Sequence, residues 1–298
     1  MSANEKVVVV GAGLMGVGIA HAFAVKGQPI VLVDVSKDAL AKGVATISSI
    51  LQQGVKLGKL SEDAAKTATA ALTTNENLTE AARGASLVVE TASESMAVKL
   101  AIMREVDAVL ADDAIIATNT SALSVTEIAA ATKQPARVGG MHFFNPVQKM
   151  KLVEIVRGIA TSDETIARIR AWSDLIGKTS IIVNEAPGLT TSRMSAMAGN
   201  EAMYMLQEGT ASAEDIDTAL RLGFNHPMGP LELGDLTGWD TRLAVLQFLH
   251  STLGEKFRPC PLILKMVKAG HYGRKTGRGV YEYVNGERVP GSGLKIAR

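Results

Sequence analysis

Short apolar runs bounded by turn residues alternate with longer helix-forming stretches until about position 183, where the pattern changes. The runs at 6–10, 30–33, 87–90, 114–118 and 137–142 read as strands, because they are too short for buried helices and are bounded by turn residues. Their alternation with helical stretches is βαβ patterning and predicts a parallel sheet. Two later runs, 152–156 and 179–183, flank a helical stretch at 163–176 and extend the sheet's edge. The segment 36–71 is longer than a minimal crossover, and its helix formers, broken at Gly54 and Gly58, predict a helical pair projecting from this domain. After Asn184-Glu-Ala-Pro-Gly188 the strand pattern stops, and the remainder reads as helices at 189–208, 213–222, 230–253 and 261–269. Ser212 stands where it can cap the helix that begins at Ala213.

The first strand runs straight into Gly11, Gly13 and Gly16 in the spacing G-x-G-x-x-G, with Leu14 and Met15 opening an Ala-rich helical stretch behind them. Strand, tight turn and helix in that order form a dinucleotide site. Gly11 allows the turn, Gly13 lets a pyrophosphate approach the backbone, and Gly16 lets the helix pack close to the strand. The N–H groups of the helix's first turn then face the phosphates. Asp34 ends the second strand 23 residues after Gly11, near the interval at which a carboxylate accepts both ribose hydroxyls. No arginine follows it to hold a 2′-phosphate, so NAD is preferred over NADP. The fold class is therefore an α/β Rossmann-type dinucleotide-binding domain over 1–184, followed by an all-α domain over 185–298.

Composition narrows the functional classes. With 31 basic and 30 acidic residues the net charge is +1, which leaves no electrostatic footprint for nucleic acid or an anionic membrane. Cys260 is the one cysteine, so an internal disulfide is excluded and a thiolate metal cluster cannot form within one chain. A reducing, cytoplasmic setting fits this usage. The start, Met1-Ser-Ala-Asn-Glu-Lys6, lacks the apolar stretch of a signal peptide, and no later run is long enough to span a bilayer.

Candidate chemistry lies beyond the nucleotide loop. His142 ends a strand, Phe143-Phe-Asn-Pro146 turns the chain, and the next strand carries Glu154 between the aliphatic Leu152 and Val156 on one face. A carboxylate so placed needs a partner, and an imidazole across the turn could be one, its tautomer fixed and its other nitrogen left to accept a proton. A purely structural His–Glu pair, or a Glu154 facing solvent at a sheet edge, is the competing reading. Asn119-Thr-Ser121 follows the strand at 114–118 and puts small hydrogen-bonding groups at a strand's carboxyl end, where open α/β sheets bind ligands. Ser121 is the candidate for touching substrate, whereas Ser124 reads as a helix cap. Glu94 and Lys99 follow the strand at 87–90 and stand within reach of a nicotinamide or ribose, although charged residues at a helix start are usually just solvated.

Taken together, these motifs resemble the L-3-hydroxyacyl-CoA dehydrogenases along nearly the whole chain. The glycine loop at 11–16, Asn119-Thr-Ser121, Gly140-Met-His-Phe-Phe-Asn-Pro-Val147, Met150-Lys-Leu-Val-Glu154, Ala186-Pro-Gly188, Glu214-Asp-Ile-Asp217, Pro227-Met-Gly-Pro230 and Gly273-Arg-Lys-Thr-Gly277 carry the likeness. The resemblance implies an enzyme that oxidises an (S)-3-hydroxyacyl-CoA reversibly with NAD, needs no metal, and forms a homodimer through its helical domain. It implies His142 as catalytic base, Glu154 as its orienting partner and Ser121 on the substrate oxygen. It also implies NAD contacts from Asp34, Glu94, Lys99, Asn145 and Lys275.

One departure stands inside the matched region. Where the family pattern reads Pro-Gly-Phe-x-x-Asn-Arg, this chain has Pro187-Gly-Leu-Thr-Thr-Ser192-Arg193, so serine replaces a catalytic-site asparagine. The segment 36–71, which the family uses to cover CoA, also differs; Lys56 and Lys59 are placed to meet its phosphates or to sit in solvent. Both differences keep two other readings open: a dehydrogenase of a free 3-hydroxy acid such as gulonate or carnitine, and an NAD-binding structural relative without activity.

Overall fold

The structure, a computed structural model, describes residues 5–295. Of the amino-terminal stretch that bears on a signal peptide, residues 1–4 lie outside the described residues. The chain divides into two compact units, Met1–Ala186 and Pro187–Arg298. In the first, β1 (Val7–Val10), α1 (Leu14–Ala24) and β2 (Ile30–Val33) lead to a helical pair, α2 (Lys37–Lys56) and α3 (Glu62–Ala71). Next come β3 (Leu72–Asn75), α4 (Leu78–Ala82), β4 (Leu87–Glu90), α5 (Met96–Asp107), β5 (Ile115–Thr118) and α6 (Val125–Ala130). The unit closes with β6 (Val138–Phe143), β7 (Leu152–Arg157), α7 (Asp163–Leu175) and β8 (Thr179–Asn184).

These strands form one sheet in the order β3-β2-β1-β4-β5-β6-β7-β8, parallel throughout except between β6 and β7. Both faces are covered, and alternation along each strand divides the core. Val7, Val9, Ile30, Leu32, Leu87 and Val89 join one cluster with α1 and α7, while Val8, Val10, Val33 and Val88 join another with α5 and α6. On the first face Trp172 of α7 is fully buried and meets Phe23 of α1 edge to face at 5.9 Å between ring centroids.

Helix starts follow their side-chain caps: Ser36, Ser61, Ser124, Ser162 and Ser212 each accept a backbone N–H of the first turn they precede. The helical pair expected over 36–71 is present, but its break falls at Gly58 alone. There φ is +65° and the N–H groups of Gly58 and Lys59 donate to the carbonyls of Val55 and Gly54, so Gly54 belongs to the helix that Gly58 ends. Neither β3 nor α4 is expected from the pattern. β3, Leu-Thr-Thr-Asn, is one of the two edge strands and carries no apolar run because it is only partly buried.

The second unit is mostly helical: α8 (Thr191–Glu208), α9 (Ala213–Gly223), α10 (Pro230–Thr237), α11 (Trp239–Leu253) and α12 (Pro261–Lys268). The single helix expected over 230–253 is two, divided at Gly238, whose φ of +94° no other residue adopts readily. A short ribbon pairs Tyr283–Val284 with Glu287–Arg288 in what the sequence presents as wholly helical. Its anchor is Asp235 of α10, fully buried. Oδ1 of Asp235 accepts the N–H of Val280 at 2.8 Å and the indole N–H of Trp239 at 2.6 Å, while Oδ2 accepts the N–H of Tyr281 at 2.8 Å and the Tyr283 hydroxyl at 3.1 Å. Burial pushes this carboxyl up from its ordinary value, and the four donors oppose that shift.

Both oxygens of Asp235 face only donors, so an amide has no orientation that satisfies them. Asp235→Asn is expected to lose roughly 2–4 kcal/mol of unfolding free energy, the scale of unsatisfied buried donors in a coupled network, as measured by urea denaturation.

Candidate active site

The strand order reverses between β1 and β4, so the connections leave these neighbouring strands in opposite directions and open a crevice at their carboxyl ends. Thr91, just beyond β4, closes the crevice floor: its hydroxyl bonds the carbonyls of Val10 and Gly11 at 2.9 and 3.2 Å. The three glycines do different work. Gly11 has φ +104°, and a Cβ on Gly16 would stand 1.8 Å from the Gly11 carbonyl oxygen, so α1 lies against the turn as only glycine allows. A Cβ on Gly13 would meet nothing within 4 Å. It would project into the cleft.

That cleft, about 1190 Å³, is lined by Gly11, Gly13, Asp34, Thr91 and Ser93 among others. Gly13 caps α1 without any side-chain hydrogen bond, no acidic residue stands in the first turn, and Leu14 is exposed with Met15 partly so. These features leave the positive end of the helix open to an anion. Oδ2 of Asp34 accepts the N–H of Ala12 at 2.8 Å and Oδ1 that of Ser36 at 3.0 Å, which fixes the carboxylate beside the glycine turn. Open space over Gly13, a bare helix start and an acid on the wall fit a dinucleotide.

Farther along the carboxyl ends, His142 and Glu154 stand directly opposite each other in the antiparallel β6–β7 ladder. Their side chains meet, Nδ1 of His142 lying 2.8 Å from Oε2 of Glu154, with His142 7% and Glu154 0% exposed. This geometry overrides the solvent-facing alternative for Glu154. The Phe144 ring tilts against the imidazole at 4.7 Å between centroids. Asn119 links the neighbouring strand by accepting the Phe143 N–H on Oδ1 at 2.8 Å. The turn after β6 is strapped down by Lys178, whose ammonium donates to the carbonyls of Val147 and Met150 and which burial holds below the usual lysine value. Asn145 is exposed within this turn.

The residues after β4 and β5 are joined more tightly than the sequence indicates. Oε1 of Glu94 accepts the Thr120 hydroxyl at 2.5 Å and the N–H groups of Ser121 and Ala122 at 3.0 and 3.3 Å. Lys99, expected to reach the cofactor, meets a different environment. It is fully enclosed, with its ammonium 2.9 Å from both oxygens of Glu90 and 3.4 Å from Oε2 of Glu94. Glu90 also accepts the Thr118 hydroxyl at 2.7 Å and the Ala92 N–H at 2.7 Å. Glu90 is not among the residues that the sequence motifs single out. Its signal was an acid closing an otherwise apolar strand, which demands a cation nearby. Ser192 and Lys275 lie in the second unit: Ser192 is half-buried at the start of α8, and Lys275 pairs with Asp240 at 2.6 Å.

A nucleotide crevice at a sheet switch point, with a histidine–carboxylate pair along the same edge, defines a dinucleotide-dependent oxidoreductase. The profile described as "3-hydroxyacyl-CoA dehydrogenase, NAD binding domain" matches residues 6–186, and that of the "3-hydroxyacyl-CoA dehydrogenase, C-terminal domain" matches 188–283. Among similar proteins, the 3-hydroxybutyryl-CoA dehydrogenase of Bradyrhizobium diazoefficiens is 45% identical over 287 residues, covering 96% of this chain and 98% of its own. The probable 3-hydroxybutyryl-CoA dehydrogenase of Bacillus subtilis is 44% identical over 280 residues, covering 94% and 97%. The crystal structure of (S)-3-hydroxybutyryl-CoA dehydrogenase PaaH1 from Ralstonia eutropha superposes with a TM-score of 0.91 at 44% identity, covering 94% of this chain and 99% of that one. The chain belongs to the 3-hydroxyacyl-CoA dehydrogenase family and is an NAD-dependent oxidoreductase of that class.

The glycines separate fold from binding. Gly16→Ala is expected to destabilise the protein by roughly 1–3 kcal/mol through overpacking, read by urea denaturation. Gly13→Ala should leave stability within about 0.5 kcal/mol of the native protein while weakening NADH affinity by about tenfold or more in a fluorescence titration.

Proposed function

We propose that this protein interconverts (S)-3-hydroxyacyl-CoA and 3-oxoacyl-CoA, with short acyl chains such as 3-hydroxybutyryl as substrates. The observation that carries the reading is the buried His142–Glu154 contact at a strand end beside the nucleotide crevice. Glu154 holds the imidazole in one tautomer and stabilises its cation, which leaves Nε2 of His142 to take the proton of the substrate hydroxyl. Bound NAD supplies the hydride acceptor. Ser121, on the loop after β5, donates to the substrate oxygen and favours the charge that develops there. Asp34 receives the adenosine ribose hydroxyls and repels a 2′-phosphate, giving NAD preference over NADP.

The relatives named 3-hydroxybutyryl-CoA dehydrogenase span almost the whole chain, which supports the thioester over a free hydroxy acid. Exposed apolar side chains on the helical unit, Met194, Leu222, Phe224 and Leu236, support association of two copies through that unit. Among the described residues no helix is long and apolar enough to cross a membrane. We place the protein in the cytoplasm, on its single cysteine, Cys260, which is buried and free.

NADH absorbance with acetoacetyl-CoA tests the reading directly, with NADPH and a free 3-oxo acid as comparison arms. Turnover is expected with NADH and thioester, and equal efficiency with NADPH or with the free acid would overturn the assignment of cofactor or substrate. His142→Gln and Glu154→Gln should each lower kcat by roughly a hundredfold, as for a lost general base, with NADH affinity nearly intact.

Ser192 generates a separate expectation. Its hydroxyl is shorter than the amide found in the family pattern, so Ser192→Asn should raise kcat on the thioester, by up to about tenfold for one restored hydrogen bond to developing charge. Unchanged kinetics would show that position 192 takes no part in the chemistry.

A further inference from the structure

Between the nucleotide crevice and the His142 strand lies a chain of buried charge with no counterpart in the reaction as proposed above. Glu90 and Lys99 are both 0% exposed, so neither reaches the open crevice. A buried ion pair of this kind adds little net stability compared with apolar residues of the same shape, so its presence calls for another reason. The reason is visible in what Lys99 holds on its outer side. Its ammonium lies 3.4 Å from Oε2 of Glu94, whose other oxygen accepts three donors from Thr120, Ser121 and Ala122.

We propose that Glu90 and Lys99 are positioning residues for Ser121, acting through Glu94 rather than on the cofactor. The sequence of contacts is continuous. Thr118 and Ala92 fix the Glu90 carboxylate; Glu90 takes the Lys99 ammonium with both oxygens; Lys99 anchors one oxygen of Glu94; and the other oxygen binds the backbone that carries Ser121. The Glu94 side chain is 39% exposed, so water competes with the loop's donors for its carboxylate. The buried ammonium makes the protein-facing orientation the favoured one. A loop of three small residues, Thr120, Ser121 and Ala122, with no large apolar anchor among them, thereby acquires a fixed geometry, and a hydroxyl that must meet a substrate oxygen is held in register with the strand end.

The distribution of charge along this chain suits the task. One cation sits between two anions, and the surplus negative charge, on the outer oxygen of Glu94, is met by a hydroxyl and two N–H dipoles rather than by a second cation. The Lys99 ammonium is thereby held inside the protein, where it does not compete for an anionic ligand.

The test is the double variant Glu90→Gln/Lys99→Met, which removes both members of the buried pair and so leaves no lone charge in the core. The amide introduced by Glu90→Gln can still accept the Ala92 N–H on its oxygen, and its NH2 group can donate to the Thr118 hydroxyl, which turns to accept. Amide hydrogen exchange over residues 119–123 is expected to accelerate by about tenfold or more without NAD present, while the β1–α1 segment exchanges as in the native protein. NADH affinity, titrated by fluorescence, should stay within about twofold, and kcat should fall by roughly tenfold to a hundredfold, the range produced by small misplacement of a reacting group. Unchanged exchange at Ser121 and Ala122 overturns the proposal. So does a tenfold loss of NADH affinity with kcat preserved at saturating NADH, which would make Lys99 a direct cofactor contact. If the double variant does not fold, Glu94→Ala takes its place: it removes the carboxylate that Lys99 anchors, leaves the buried pair and the Thr120 hydroxyl's own bonds to Ala122 and Leu123 intact, and must reproduce the faster exchange at Ser121. The kinetic arm rests on the thioester-dehydrogenase reading, and the exchange arm does not. Native protein inactive on acetoacetyl-CoA would therefore defeat that reading while the exchange result still judged the clamp.

Discussion

A carboxylate removed from water must be met by donors or by a cation, and in this molecule that requirement organises everything at the functional edge of the sheet. Glu90 and Glu154 are both 0% exposed, and each ends up with a cationic or potentially cationic partner, Lys99 and His142. Replace both members of either pair by hydrophobes and the strands could pack as well; what would be lost is orientation. Glu154 sets the direction of an imidazole, and Glu90 sets the direction of an ammonium that in turn holds a loop. Asp235 shows the same rule used for architecture alone, since its four donors tie a short ribbon to α10 and α11.

The sheet makes this arrangement possible because it brings chain-distant acids and bases to one edge. Parallel strands β1, β4 and β5 all end on the same side, and β6 ends there with them, so Gly11, Glu90, Thr118 and His142 become neighbours along a single line although 131 positions separate the first from the last. Antiparallel β7 then returns from that side, which is why Glu154 near its start faces His142 near the end of β6. A parallel β7 would have put the acid at the opposite end of the sheet. The one reversal of strand direction is thus what completes the histidine pair.

Hydrogen bonding of loops to side chains, rather than loop packing, fixes the edge that carries the candidate site. Asp34 binds the glycine turn, Thr91 the turn's floor, Glu94 the Ser121 loop, Asn119 the residue after His142, and Lys178 the turn beyond it. Each of these is a polar side chain on one element holding the backbone of another. Loops built so can be short and exposed, as a site open to a large cofactor requires, and still keep a defined shape.

Much of this was legible in the sequence, and the division has a physical origin. Local pattern determined the strands of the central sheet, the caps Ser124 and Ser212, the glycine loop with Asp34, the change to a helical second half and the suspicion that Glu154 needed His142, because each follows from the spacing of residue types along the chain or from the cost of one buried charge. Local pattern did not show β3, whose partly exposed position removes the apolar run that marks a strand, nor the division of α10 from α11, where a single Gly238 at φ +94° does what composition does not announce. Nor did it show that Lys99 points inward. A lysine at a helix start is ordinarily solvated, and only the meeting of β4, α5 and the loop after β5 creates a dry space with carboxylates on two sides in which its ammonium is better placed than in water. Chemical type and local conformation were written along the chain; which charges would be enclosed, and by what, was decided by strands and helices far apart in it.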